Sequence, residues 1–294
     1  MSDGFLHRYF LNHTGRVIHK WFHYIDVYER HFERFRGQPI NFLEIGVGQG
    51  GSAEMWRAYF GPEANIMCLD LRDLSSRVKP HIAKFYQGDQ TDPELLNRIV
   101  AENGPIDIVL DDGSHFSRHI IPSFEILYPQ MSPEGVYVVE DVSCIYKKRY
   151  DGGLKQPGSF MEYTKDLLDR INFAHLKQFS KDDPFGNSTH SINVYDAMVV
   201  FERRPKAHTQ WARTGKQGSL GDQPFTPGWP QLDDVQPTPV SRTPSQTLKL
   251  VATDLRSNGG RRVRHGVAWR TRRLRNQLVL RTTAGSAVAH RVPR

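Results

Sequence analysis

Two short acidic clusters are the residues best equipped for chemistry. Asp111-Asp112-Gly113-Ser114-His115 follows an apolar run at 106–110, and Glu140-Asp141 follows another at 136–139. Runs of this kind read as strands, so carboxylates and an imidazole should meet at the carboxyl edge of one sheet, where open α/β sheets bind ligands. Four clustered carboxylates repel one another unless protons or a cation neutralise them, and hard divalent cations select oxygen ligands of this type. The chemistry this predicts is metal-assisted, with His115 able to exchange a proton near neutral pH.

Elements that would position these groups are visible in the pattern. Apolar strands are predicted at 42–45, 66–69, 85–87, 106–110 and 136–139, separated by segments of helical period at 52–59, 93–102, 119–128 and 159–172. The run 193–202 resembles a closing hairpin. This alternation predicts an α/β fold with a doubly wound, mostly parallel sheet. Ahead of it, Ile18, Trp21, Phe22, Ile25, Tyr28 and Phe32 recur at helical spacing, which predicts one amphipathic helix over 16–36, stopped by Gly37 and Pro39. The expected organisation is a helical segment at 1–37 packed on a domain at 38–205, followed by a tail at 206–294.

Charge separates the tail from the domain. Residues 1–205 carry 23 Lys and Arg against 28 Asp and Glu, whereas 206–294 carry 16 against 4. The main domain is therefore mildly acidic and has no sign of a nucleic-acid-binding surface. The tail is rich in Gln, Thr, Gly, Ser and Pro and reads as disordered. Its Arg-rich stretch, Arg261 to Arg275, could hold RNA, anionic lipid or an acidic partner, although such runs are more often solvated. The opening residues lack the apolar region of a secretory signal, and no run is long enough to span a membrane, so a cytoplasmic protein is expected. Cys68 and Cys144 form neither a disulfide framework nor a zinc spacing.

The segment Glu44-Ile45-Gly46-Val47-Gly48-Gln49-Gly50-Gly51-Ser52 joins the first strand to a helix and matches G-x-G-x-x-G. Such glycines let backbone approach a ligand and serve NAD, FAD or S-adenosylmethionine alike. The surrounding charge discriminates. Glu44 precedes the loop and no Lys or Arg follows until Arg57, which suits a cationic ligand end better than pyrophosphate. Asp70 closes the next strand, 24 residues after Gly46, where an acid accepts ribose hydroxyls. Asp89 and Gln90 end the third strand and offer contacts to adenine, although Asp89 could equally serve the helix that follows.

These residues resemble the class I S-adenosylmethionine-dependent methyltransferases, specifically the metal-dependent group that includes macrolide-sugar O-methyltransferases and cephalosporin-hydroxylase-like proteins. The resemblance covers about 16–204 and rests on the glycine loop, on Gly88-Asp89-Gln90 with Asp111-Asp112-Gly113-Ser114-His115, and on the run 135–141 that ends in Glu140-Asp141. It implies a Rossmann-like methyltransferase fold, with Asp112, Glu140 and Asp141 holding magnesium and His115 acting as general base. With that donor, Glu44, Gly46, Gly48, Gly50, Ser52, Asp70, Asp89 and Gln90, as read above, are the residues expected around the S-adenosylmethionine, and Asp111 either faces it or supports the loop. The expected activity is O-methylation of a hydroxyl on a sugar or other polyhydroxylated small molecule, and a homo-oligomer is compatible with the sequence.

One departure stands out. Relatives commonly follow the Glu-Asp pair with His or Gln and then Thr-Ser-Tyr-Trp, whereas this chain reads Val142-Ser143-Cys144-Ile145-Tyr146-Lys147, so a lysine replaces the aromatic after Tyr146. The glycine-rich run 150–160 is a candidate lid over the acceptor. Two other readings remain: a nicotinamide-dependent oxidoreductase using the same loop, and a non-catalytic nucleotide-binding module tethered by its basic tail.

Overall fold

The computed structural model describes residues 4–176 and 183–206. Seven strands form a single sheet: β1 (Asn41–Ile45), β2 (Asn65–Asp70), β3 (Lys84–Gln87), β4 (Ile106–Asp111), β5 (Met131–Val139), β6 (Thr189–Tyr195) and β7 (Met198–Arg203). Their spatial order is β3-β2-β1-β4-β5-β7-β6. The first five run parallel, while β7 lies antiparallel to β5 and to β6. Strand order reverses between the neighbours β1 and β4, which makes their carboxyl ends the switch point at which a ligand crevice opens. The expected doubly wound sheet with its closing hairpin is what the chain adopts.

Side-chain alternation on the central strands assigns helices to the two faces. Phe42, Leu110, Val138 and Val200 point to one face, where they join Tyr28, Phe32, Trp56 and Phe60. Leu43, Val109, Tyr137 and Phe201 point to the other, joining Leu96, Ile99, Phe124 and Leu127. The first layer is built by α1 (Phe5–Asn12), α2 (Tyr24–Phe32) and α3 (Gly51–Phe60), and the second by α4 (Pro93–Asn103), α5 (Ser117–Leu127) and α6 (Phe160–Ile171). A short α7 (Pro184–Ser188) leads into the hairpin. Strands buried on both faces explain why β1, β2 and β4 read as nearly continuous apolar runs and not as alternating ones.

The N-terminal expectation needs correction. No single helix covers 16–36. The chain forms α1, then an irregular strap from His13 to His23, and only then α2. Helical period fails in the strap because its polar groups are claimed elsewhere. Glu54 accepts the Arg16 amide at 3.3 Å, the His13 ring meets the Arg16 carbonyl at 2.6 Å, and Arg16 donates to the Ser76 carbonyl at 3.1 Å. Ile25, Tyr28 and Phe32 of the anticipated stripe are buried, but Trp21 stands 58% exposed.

Both cysteines are buried and free, Cys144 in the 3₁₀ turn Val142–Tyr146. No helix among the described residues is long and apolar enough to cross a membrane. The anticipated tail beyond Lys206 lies outside the described residues.

Candidate functional site

The loops that leave β1, β4 and β5 converge at the switch point. After β1, Gly46 takes φ +97°, and a Cβ there would come within 2.2 Å of the Asp112 carbonyl. Only glycine lets these two loops touch. The Asp112 amide in turn donates to the Ile45 carbonyl at 2.9 Å, and the Glu140 amide to the Asp111 carbonyl at 2.9 Å. The acidic clusters are thus locked to one another through backbone. His115 and Asp141 both hold left-handed conformations, with φ of 61° and 52°. Non-glycine residues adopt such angles at a cost of order 1–3 kcal/mol, and they tend to do so where a side chain must be aimed.

Asp141 lines a pocket of about 90 Å³ with His19, Lys20, Trp21, Tyr24, Asp112 and Glu140. Ligand atoms of Asp112, His115 and Asp141 lie within 4.8 Å of one another, close enough to share one metal ion. The His115 Nε2 is 3.8 Å from Asp141 Oδ2. Glu140 sits at the pocket floor, 1% exposed, and its Oε1 accepts the Tyr28 hydroxyl. The Asp141 Oδ1 accepts the indole N–H of Trp21 at 3.1 Å and lies 2.9 Å from the Tyr24 hydroxyl.

Sequence reasoning missed the cation in the middle. Lys20 reaches in from the strap with its side chain 4% exposed, and its Nζ donates to Asp112 Oδ2 at 2.6 Å and to Glu140 Oε2 at 2.8 Å. Burial works against its charge, but Asp112, Glu140 and Glu44 outweigh that effect, and the proton is held more tightly than on an ordinary lysine. The Glu140 carboxyl nonetheless stays above the usual range, because burial takes away more than one ammonium returns. A single lysine shared by several carboxylates leaves the pocket short of positive charge. The available signal was a lone Lys set among Trp21, Tyr24 and Tyr28, upstream of carboxylates with no visible counter-charge.

The residues expected around the glycine loop fall into three groups. Glu44 and Ser52 meet: the Ser52 hydroxyl donates to Glu44 Oε2 at 2.9 Å and the Trp56 indole to Oε1 at 3.2 Å, beneath the loop. Burial pushes the Glu44 carboxyl up to about 7, with Lys20 pulling the other way. Gln90 and Asp111 also meet. The Gln90 amide donates to both Asp111 oxygens at 3.1 and 3.3 Å, while its Oε1 accepts the Ser114 amide at 3.0 Å, and burial pushes Asp111 up to about 7. Facing outward are Gly48, whose α-carbon has open space around it, and Asp89, whose Oδ1 accepts the Thr91 amide and hydroxyl at 2.8 and 2.9 Å. Asp92, not Asp89, caps α4. Asp70 closes β2 and accepts the Val47 amide at 3.0 Å. Gly50 takes φ +86° at the start of α3.

An open sheet in this order, with a glycine loop after β1 and an acidic crevice between β1 and β4, defines the class I methyltransferase fold. No family model matches the chain. The chain is 40% identical over 209 residues to mycinamicin VI 2''-O-methyltransferase of Micromonospora griseorubida, covering 67% of this chain and 51% of that protein. With demethylmacrocin O-methyltransferase of Streptomyces fradiae it shares 34% identity over 189 residues, covering 60% and 47%. Among solved structures, the MycE methyltransferase in complex with Mg, SAH and mycinamycin VI superposes with a TM-score of 0.59 at 33% identity, covering 68% of this chain and 53% of that one. Two Streptomyces olivaceus relatives, at 36% and 32% identity, are named as O-methyltransferases of rhamnosyl tetracenomycin-C compounds. The chain spans about half the length of the curated relatives it matches.

Proposed function

We propose that this protein is an S-adenosylmethionine-dependent, magnesium-assisted O-methyltransferase acting on a hydroxyl of a sugar or comparably polyhydroxylated small molecule. The observation that carries the reading is the pocket of Asp112, Glu140 and Asp141 beside His115, which holds an ammonium yet remains short of positive charge. Three carboxylates are hard oxygen donors that suit magnesium, and the cation already held between two of them marks the place as built for one. Relatives named as O-methyltransferases of rhamnosyl and olivosyl compounds support a sugar hydroxyl as acceptor, and MycE was solved with Mg and SAH, which supports the same cofactors here. A cytoplasmic location goes with this reading.

In this mechanism Asp112, Glu140 and Asp141 would hold the metal, which would lower the cost of deprotonating a hydroxyl. The acceptor oxygen attacks the methyl carbon of the donor, the carbon–sulfur bond breaks, and its electron pair returns to sulfur to leave S-adenosylhomocysteine. The hydroxyl proton passes to the His115 imidazole, whose left-handed backbone turns it toward Asp141. The loop at Gly46, Gly48 and Gly50 would admit the donor's methionine end, and Asp70 would receive its ribose. Glu44 with Ser52, and Gln90 with Asp111, would act beneath them by fixing the loops that face the donor.

Calorimetry with S-adenosylhomocysteine and MgCl₂ tests the proposal, together with methyl transfer from labelled S-adenosylmethionine to a panel of glycosides. Binding of both in the wild type, with the magnesium heat lost in Asp112→Asn, is expected. Full activity in excess chelator would overturn the metal's part, and binding of NADH without S-adenosylhomocysteine would overturn the whole reading.

A further inference from the structure

We infer that Lys20 is a tethered occupant of the metal position, one that holds the carboxylates in place without an ion and leaves when a divalent ion binds. The inference rests on the proposed role of Asp112 and Glu140 as metal ligands. Lys20 Nζ lies 2.6 and 2.8 Å from one oxygen of each. Magnesium bound to the same two oxygens would sit about 2.0–2.1 Å from both. The ammonium already bonds those two oxygens, so an ion that took them would compete with it directly. The occupants are alternatives.

The strap allows the exchange. It is pinned on one side by His13 and Arg16, which bond Glu54 and the Ser76 carbonyl, and on the other by Tyr24 at the start of α2. Between these anchors the backbone around Lys20 has no helix or strand to break, and the neighbouring Trp21 is already largely in solvent. Replacing an ammonium with a divalent ion also adds one positive charge to a pocket that lacks it. Meanwhile the strap crosses the glycine loop between its anchors: a Cβ on Gly51 would come within 2.5 Å of the Val17 carbonyl. A strap that shifts when metal binds therefore shifts against the loop proposed to take the donor. In this respect Lys20 is a positioning residue, acting on metal affinity and not on the reacting atoms.

Lysine labelling of the full chain tests this without turnover. Reductive methylation followed by peptide mass spectrometry should find Lys20 protected in chelator and modified in saturating MgCl₂, with exposed Lys155 and Lys165 modified equally in both. Calorimetry with MgCl₂ alone should show Lys20→Met binding magnesium at least tenfold more tightly than wild type, and Lys20→Arg, which keeps a tethered cation, no more tightly than wild type. Lys20 remaining protected in saturating magnesium, with Lys20→Met matching wild-type affinity, overturns the inference while leaving the metal site intact. Failure of both wild type and Lys20→Met to bind magnesium overturns the metal reading itself, and the inference with it.

Discussion

Tyr28→Phe isolates one interaction at the floor of the site. The substitution removes a hydroxyl and keeps the ring, so the edge contact with Trp56 at 5.1 Å and the stack on Phe32 at 5.7 Å survive. What is lost is the donor to Glu140 Oε1. Glu140 is 1% exposed, so water cannot replace that donor, and Lys20 on the other oxygen becomes its one remaining side-chain partner among the described residues. Hydrogen bonds to charged groups contribute about 1.5–3 kcal/mol. In a domain of this size each kcal/mol shifts the melting temperature by roughly 2–4 °C, so the variant should melt about 3–12 °C below wild type. Circular dichroism melts at pH 8 in chelator measure it. Tyr59→Phe is the control: its hydroxyl bonds Glu33, whose side chain is 62% exposed and can turn to water, so the loss should stay below about 1 kcal/mol, or roughly 2–4 °C. A Tyr28→Phe melt indistinguishable from wild type, or a loss no larger than the control's, would refute the view that Glu140 depends on this donor.

Burial raises the carboxyls of Glu44, Asp111 and Glu140 above their unfolded values, the first two to about 7. Such groups contribute stability that is present below the unfolded pKa near 4 and lost as pH rises through the folded value, so metal-free protein should melt progressively lower from pH 5 to pH 8. Magnesium should narrow that decline, and a flat profile in chelator would contradict it. Gly46→Ala should cost at least about 1–2 kcal/mol from the left-handed backbone alone, with the Asp112 clash added, and should weaken magnesium binding as the β4 loop is pushed away; an unchanged melt would argue against the close approach. His115→Gln should lower kcat by about 10²–10⁴ with magnesium affinity retained, whereas loss of affinity would recast the imidazole as a ligand. A chain ending at residue 206 should keep S-adenosylhomocysteine binding, and loss of that binding would assign the basic tail a part in the site.

The sheet was legible because parallel strands buried on both faces leave short apolar runs set between turn residues and helical periods, as at Phe42-Leu43 and Val109-Leu110. The acidic clusters were legible because they terminate those runs. The strap was not. Ile18, Trp21 and Phe22 keep the period of the helix that follows, and period carries no record that Lys20 has a partner 120 residues away at Glu140. Similarly, Glu44 read from sequence as a group facing a ligand, and Asp111 as one that either faces the cofactor or supports its loop. Whether a carboxylate faces outward or is consumed by Ser52 and Trp56, or by Gln90, depends on which neighbours fold over it, and spacing along the chain does not encode that.

The buried line from Glu44 through Trp56 and Tyr28 to Glu140 bears on where the working unit begins. A boundary drawn at residue 38, where strands and helices start to alternate, would keep every strand of the sheet and every carboxylate of the pocket. It would also strip away the ammonium between two of those carboxylates, both tyrosine hydroxyls that bond the Glu140-Asp141 pair, and the aromatic wall beneath them. A fragment beginning there would be a sheet with an open, mutually repelling acidic edge. The stretch 13–36 is better regarded as part of the acidic pocket than as a segment added to a finished domain.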